Sequence, residues 1–260
     1  MIRTITRRQY TGSQILSLFV TLGLLVTAVV SAVEIPNIFQ AGETARADQV
    51  NANFQVLANE IESLEDQLAD LAALSSFIRV ETGEINGMAG PHVIIEGANL
   101  HVRSGSGFTY DDIDPDVPLT GLGNLVIGYN EVPTVGAFLD GDRAGSHNLV
   151  LGTGNRYTEY AGIVAGAENR ITAPFASILG GRVNRATGEY ASVAGGFGGL
   201  AQGNGSSVAG GMNNRAFGAT STVSGGQGGA AQGTASSISG GINRTVTNAF
   251  DWAACNVTCN

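Results

Sequence analysis

Between Val50 and Leu71 the apolar residues are spaced alternately by four and three positions. This spacing predicts an α-helix with one narrow apolar seam along its length, and we place the helix at residues 48–74. A narrow seam on a helix of this length predicts a parallel coiled coil, with a preference for three chains. The alternative is a single amphipathic helix packed against its own domain. The seam consists of Val50, Phe54, Leu57, Ile61, Leu64, Leu68 and Leu71.

Beyond residue 159 the pattern changes to a repeating unit that occurs six times. The fourth position of each unit is β-branched, as in Ile163 and Ile178, the second is small and the seventh is glycine. Two earlier segments, 121–128 and 146–155, carry a similar pattern. The six units begin at Tyr160, Phe175, Tyr190, Gly205, Thr220 and Ala235.

This unit has a physical interpretation as one coil of a stack. Side chains alternate between the two faces of a strand, so positions 2 and 4 point to the same side and supply the interior. Glycines at fixed intervals indicate corners, where the backbone excludes a side chain. One coil buries too little apolar surface to fold alone, whereas stacked coils share a core. The sequence therefore predicts a mainly β protein whose residues 121–249 form a parallel β-roll of coils of about 15 residues. We expect a loop inserted near 131–145.

The remaining segments frame these two elements. Residues 33–47 are predicted to be a spacer, and residues 75–120 a β-rich neck that contains a strand, turn and strand from His92 onward. Residues 250–260 are predicted to cap the roll with Phe250 and Trp252. We expect Cys255 and Cys259 to form a small disulfide within this cap, or to link chains.

The N-terminus carries the pattern of an export signal. Residues 1–32 combine three Arg with an apolar stretch and a small-residue site at Val30-Ser31-Ala32, which predicts a cleaved signal peptide or an uncleaved N-terminal anchor. Either places the rest of the chain outside the cytoplasm, at the cell surface, in the extracellular space or in the periplasm. The net charge is -9, and it becomes -12 when the three Arg of the leader are removed. Such a surface argues against nucleic acid as a partner, and we expect membrane contact only through the N-terminal segment if it is uncleaved.

The repeats resemble those of a known family. YASVAGGFGGLAQG and GSSVAGGMNNRAFG are similar to the head repeats of trimeric autotransporter adhesins of the YadA-like kind. The resemblance implies a left-handed parallel β-roll, a homotrimer and a coiled-coil stalk, and it implies adhesion as an expectation. Three features depart from the family: the period of 15, a stalk that precedes the head, and a chain that ends soon after the roll.

The sequence contains no catalytic motif of the common hydrolase, metalloprotease or nucleotide-binding types. We expect no catalytic residue, no cofactor and no metal. The weak candidates for calcium are Asp112, Asp114 and Asp116, which match the first ligands of a calcium loop but lack its glycine and final glutamate. Three histidines are interpreted as surface or turn residues, and these are His92, His101 and His147.

Two sets of polar or aromatic residues are candidates for binding. Tyr160, Phe175 and Tyr190 stand at the first position of successive units, where stacked rings would hold a glycan or a protein surface. The alternative is that these rings pack between coils or between chains. Asn169, Asn184 and Asn214, each followed by Arg, are interpreted as a solvated polar ladder.

From these features we expect an exported structural or adhesive surface protein. A trimeric stalk and a β-roll head would bind glycans or proteins through broad, shallow faces. The alternative is a polysaccharide-active enzyme on a β-solenoid, which would require acids or bases clustered on one face.

Overall fold

The structure is a computed structural model of the chain, and it describes residues 33–111, 118–132 and 142–254. The chain divides into two compact units, one up to Leu100 and one from His101 onward. The predicted leader, residues 1–32, lies outside the described residues. Among the described helices, none combines the length and the apolar character that a membrane crossing needs.

The first unit contains a long helix and a hairpin. The helix α1 spans Ala47–Ser75, one residue more at each end than the spacing of apolar residues predicted. No side chain caps its N-terminus. Before it, the spacer is tied to the helix by Asn53, whose Nδ2 donates to the Asn37 carbonyl oxygen at 2.7 Å.

After the helix, the neck forms one antiparallel hairpin. Strand β1 (Ile78–Glu81) pairs with β2 (His92–Ile95), with Ile78 opposite Ile95. The second strand of the strand, turn and strand predicted from His92 onward is wrong, because residues 98–103 form no strand.

The second unit is a parallel β-solenoid of about seven turns. Its strands are short because each coil turns a corner after a few residues. In chain order they are β3 (Leu125–Ile127), β4 (Leu149–Thr153), β5 (Arg156–Tyr157), β6 (Ile163–Ala167), β7 (Arg170–Ile171), β8 (Ser177–Ile178), β9 (Arg185–Ala186), β10 (Ser192–Val193), β11 (Leu200–Ala201), β12 (Ser207–Val208), β13 (Arg215–Ala216), β14 (Thr222–Val223), β15 (Ala230–Ala231), β16 (Ser237–Ile238), β17 (Thr245–Val246) and β18 (Trp252–Ala253).

These strands form two walls with a thin core between them. The first wall contains β3, β4 and then the even-numbered strands to β18, and the second contains the odd-numbered strands from β5 to β17. Every strand pair within a wall is parallel and in register, as with Val193 beside Val208. One β-branched residue per coil from the first wall meets one residue, mostly alanine, from the second. The predicted roll and its interior positions 2 and 4 are thereby confirmed from the second unit onward.

The register of the first predicted unit is wrong by one residue. Val164, and not Ile163, is buried and lies beside Ile178 in the wall. The steps from Val150 to Val164 and from Val164 to Ile178 are therefore one residue shorter than the steps that follow Ile178. The additional residue is accommodated at the corner that follows the first wall, where Gly180 precedes Gly181.

This corner is formed by glycines stacked from coil to coil. Gly181, Gly196, Gly211 and Gly226 all have φ between 78° and 91°, a region that favours glycine. A Cβ on any of them would lie 2.1–2.3 Å from the carbonyl oxygen of the glycine in the next coil. The seventh-position glycines are thus required both by backbone conformation and by the close approach of neighbouring coils.

The asparagines of the predicted polar ladder are buried, which corrects their interpretation as a solvated face. Asn214 Nδ2 donates to the carbonyl oxygens of Gly210 and Gly226, and its Oδ1 accepts the N–H of Gly229 at 2.8 Å. Neighbouring coils are thus joined by side-chain hydrogen bonds inside the roll as well as by the backbone. We call this set the asparagine ladder: Asn155, Asn169, Asn184 and Asn214.

Glycine and asparagine alternate at one place of this corner in four successive units, which are represented by Gly198, Asn213, Gly228 and Asn243. The alternation follows from the stacking of the coils. Gly198 lies beneath the side chain of Asn213, and a Cβ on this glycine would be 2.4 Å from Asn213 Oδ1. Gly228 has the same relation to Asn243. A coil with an asparagine at this place therefore requires a glycine at the same place in the coil before it.

The ladder predicts a clear difference between Asn214→Ala and Arg215→Ala. The first leaves the Gly210 carbonyl oxygen and the Gly229 N–H unpaired inside the roll, while the Gly226 carbonyl oxygen keeps its hydrogen bond from the Met212 N–H. We expect it to lower the free energy of unfolding by about 3 kcal/mol. The second changes an exposed neighbour and should have an effect below about 0.5 kcal/mol. Urea unfolding followed by circular dichroism measures both, and equal effects would contradict the role given to the ladder.

A second pair of variants tests the close approach of coils. In Gly218→Ala, the new Cβ would lie 2.0 Å from the carbonyl oxygen of Gly233, so we expect a loss of at least about 3 kcal/mol. Gly210→Ala is the matched control, because no atom lies within 4 Å of its Cβ position. It should be neutral or stabilising by up to about 1 kcal/mol. Thermal unfolding of the two variants is measured side by side. A loss in Gly218→Ala alone attributes the effect to the contact between coils, whereas equal losses would attribute it to the replacement of any glycine at a corner.

Candidate functional site

The candidate site lies at the corner where the chain enters the first wall. The residue at this place in each coil has a left-handed backbone, with φ of 58° at Phe175 and Tyr190, 66° at Gly205 and 54° at Thr220. Identical backbone conformations project the side chains of successive coils in one line. We call this line the entry column: Gly123, His147, Ala161, Phe175, Tyr190, Gly205, Thr220, Ala235 and Phe250.

The structure brings the three predicted aromatic residues together. Phe175 and Tyr190 are stacked, with ring centroids 5.2 Å apart and planes at 8°. Tyr160 meets Phe175 edge to face at 5.5 Å, although it lies one residue before the entry column. The rings therefore pack on one another from coil to coil, which is one of the two roles considered for them.

A fourth ring, Tyr110, completes this aromatic cluster. Its centroid lies 5.8 Å from that of Tyr160 and 6.0 Å from that of Phe175, edge to face in both cases. Residue 110 is far from the repeats along the chain, and its own surroundings in the sequence carry no repeat signal. Sequence reasoning missed it for this reason.

Tyr110 is held there by its neighbour Asp111. The buried carboxylate of Asp111 accepts hydrogen bonds from the Ser104 hydroxyl at 2.7 Å and from the Thr120 N–H at 2.9 Å. The segment is also joined to the roll by His147, whose Nε2 accepts the Ser104 N–H at 3.1 Å. This histidine thus fixes a backbone position.

The pKa of Asp111 reflects this cage of donors. Burial alone would raise the pKa of the carboxyl, but hydrogen bonds from the side chains of Ser106, Ser146, Thr120 and Ser104 outweigh it. Their sum holds the pKa well below its usual range. The charged form of Asp111 is therefore part of the folded structure.

Exposed surface in the cluster is concentrated on two rings. Phe175 is half-buried, whereas Tyr190 and Tyr110 are 59% and 54% exposed. A hydrogen bond with Glu189, and then the negative charge of that residue, raise the pKa of Tyr190. The cluster thus presents two tyrosine rings to solvent, with the carboxylate of Glu189 beside one of them.

The other predicted sites have separate places. The residues of the seam lie on α1, and all except Val50 are exposed.

Phe250 and Trp252 continue the roll, since β18 pairs with β16 and Trp252 Nε1 donates to Ser239 Oγ at 2.8 Å. The predicted cap of 250–260 thus begins with residues that extend the first wall. Cys255 and Cys259 lie outside the described residues.

The acids Asp142 and Glu168, which the structure describes near the start of the roll, lie beside arginines. Asp112, Asp114 and Asp116 lie outside the described residues. Asp142 is buried, with its carboxylate 3.5 Å from Arg156 Nε and 3.7 Å from a terminal nitrogen of Arg170. Glu168 forms an ion pair with Arg182 at 3.0 Å. No three His, Cys, Asp or Glu side chains among the described residues are arranged to hold a metal ion.

Comparison with known proteins does not place the chain in a family. No protein-family model matches it, and no curated protein matches it with significant similarity.

The caged carboxylate predicts a pH-dependent effect of Asp111→Asn. A group whose pKa is lowered in the folded state stabilises the protein above its unfolded pKa of about 4, and this stabilisation is lost as the pH falls below that value. We expect the variant to lose about 2 kcal/mol at pH 7, and this difference from the native chain should shrink towards pH 2. Urea unfolding at several pH values, followed by near-ultraviolet circular dichroism of the tyrosines, measures the difference. Glu168→Gln is the control, and a loss that is independent of pH would contradict the assignment.

Proposed function

We propose that this chain is an exported structural and adhesive protein, in which α1 joins three chains and the β-roll presents binding surfaces. The observation that carries the proposal is the exposure of the seam. Phe54, Ile61, Leu64 and Leu68 are 55–65% exposed, and no residue of α1 is buried.

A helix of this kind is marginal without a partner. Helical stability in proteins comes mainly from packing of an apolar face, and α1 has neither a packed face nor an N-terminal side-chain cap. Burying each large apolar side chain of the seam stabilises by about 1.5–3 kcal/mol, so six of them contribute on the order of 10 kcal/mol per chain. Self-association through the seam supplies this burial without a second protein.

The charges of α1 also bear on how chains would associate. The helix has no basic residue, and its acids lie off the seam. In a parallel, in-register coiled coil, Glu60 of one chain would face Glu65 of the next, because these residues flank the seam on opposite sides. This pair is repulsive, so association should be stronger at high ionic strength.

The roll supplies the adhesive part of the proposal. Its coils repeat one backbone geometry and present shallow outer faces, and a weak contact at such a face is multiplied by the number of associated chains. The resemblance of its repeats to the heads of YadA-like adhesins agrees with this role.

The mass of the purified protein tests the proposal. We expect light scattering to give three chain masses, and we expect Ile61→Asp to shift the protein towards monomer because it places a charge in the seam. Asn59→Asp is the matched control, since it adds the same charge on the opposite side of the helix and should leave the mass unchanged. A monomeric native protein, or equal effects of the two variants, would overturn the proposed association.

A charge reversal tests the orientation of the chains. In a parallel coiled coil, Glu65→Lys converts the repulsive pair with Glu60 into an attractive one and should raise the dissociation temperature. In an antiparallel arrangement residue 65 would face the same flank of the partner's seam and not Glu60, and the variant would bring no such gain. The same light-scattering measurement, repeated at rising temperature, separates the two arrangements.

A further inference from the structure

We propose that the open face of Tyr190, above Gly205, binds a sugar ring of an uncharged glycan. This inference depends on the proposed adhesive function and makes it specific, because it names the class of ligand and the residues that contact it.

The geometry of the entry column creates a vacant place beside Tyr190. One face of the Tyr190 ring lies on Phe175. The next place in the column is Gly205, which has no side chain, and the place after it is Thr220. Coils are about 4.8 Å apart, so the positions of Tyr190 and Thr220 are separated by about 10 Å. This is room for one ring stacked on Tyr190.

The space above Gly205 is open and not filled by a neighbour. A Cβ built on Gly205 would meet a single atom, Thr220 Cγ2, at the ordinary contact distance of 3.5 Å. At the corner glycines on the other side of the first wall, the same construction collides with backbone. The absence of a side chain at Gly205 is therefore not imposed by close packing of the coils.

The chemistry of this place suits a pyranose. The C–H bonds on one face of a sugar ring are attracted to the negative face of an aromatic ring, while its hydroxyls need hydrogen-bonding partners at the edge. Tyr190 supplies the aromatic face, and its hydroxyl and Glu189 supply polar atoms beside it. In the following coils the outward residues beside the entry column are uncharged, and Asn204, Ser207 and Thr222 among them are polar.

Charge selects an uncharged glycan over a sulfated or uronic one. The arginines of these coils stand on the second wall or at the corner that leads to it, as in Arg185 and Arg215 of β9 and β13. The acid nearest to the vacant place is Glu189, which is hydrogen-bonded to Tyr190. An anionic sugar would meet this carboxylate with no cation of the entry column to balance it.

Three variants of the full chain test the site. Tyr190→Ala removes the stacking surface. Gly205→Tyr removes no contact but fills the vacant place, and its backbone conformation is one that Phe175 and Tyr190 already adopt. Phe197→Ala is the matched control, because it removes an exposed ring from a different strip of the roll.

The probes are cellotetraose, the tetramer of N-acetylglucosamine and maltotetraose, with a heparin tetrasaccharide as the anionic comparison. We expect calorimetric titration to show binding of at least one uncharged tetramer. Tyr190→Ala should weaken it about tenfold or more, Gly205→Tyr should abolish it, and Phe197→Ala should leave it unchanged. Circular dichroism and the mass of each variant identify any variant that fails to fold. If Tyr190→Ala fails to fold, Gly205→Tyr still tests the site.

Two results would overturn the inference: no binding of any uncharged tetramer, or binding that Gly205→Tyr leaves intact. Binding of the heparin fragment alone would also overturn it. Failure here is distinguishable from failure of the proposed function, since a trimer that adheres to surfaces without this site would refute only the sugar site. Release of soluble sugar from a polysaccharide would instead contradict the adhesive role and favour the enzyme.

Discussion

Close contact between the backbones of successive coils is the constraint on which the second unit depends. Each coil donates N–H groups to the carbonyls of the next, and its glycines approach the next coil too closely for a Cβ. Both interactions repeat at a fixed step, so a residue can be accommodated only if it fits the same place in the coils before and after it. The many glycines of the roll are a consequence of this constraint, since a Cβ at most of its corners would collide with the next coil.

The asparagine ladder shows how the same constraint admits polar side chains into the interior. A buried amide is expensive unless all its hydrogen bonds are made. Asn184 makes them with the carbonyls of Gly180 and Gly196 and with the N–H of Gly199, which are supplied by the regular step between coils. The ladder therefore stabilises only a correctly registered stack, because a slip of one residue would leave every amide in it unpaired.

The roll was predictable from the sequence because its constraint acts at a fixed interval, and an interval is visible in a single sequence. The β-branched fourth position and the corner glycines are enough to identify the walls and corners. The prediction failed where the interval changes, since the shorter step before Ile178 placed Ile163 inside the roll in place of Val164. The burial of the asparagines was missed because an Asn followed by an Arg has the same pattern on a solvated face as in the interior. Tyr110 was missed because its contact with Tyr160 is set by tertiary packing of a segment outside the repeats.

Some positions of the roll are fixed by contacts between coils, whereas others, such as the entry column, accept different side chains. Binding residues are expected at the second kind of position. At the entry column the backbone has a positive φ, which costs a residue with a side chain about 1 kcal/mol relative to glycine. Gly205 shows that this place accepts glycine, so Phe175 and Tyr190 are not there because the fold demands them. Phe175 recovers the cost by packing against three rings, but Tyr190 stacks on one and leaves most of its surface in solvent. A ring kept at a strained place, with one face unused and an empty place beside it, is better explained by a ligand than by stability, and this is why we assign the sugar site to Tyr190.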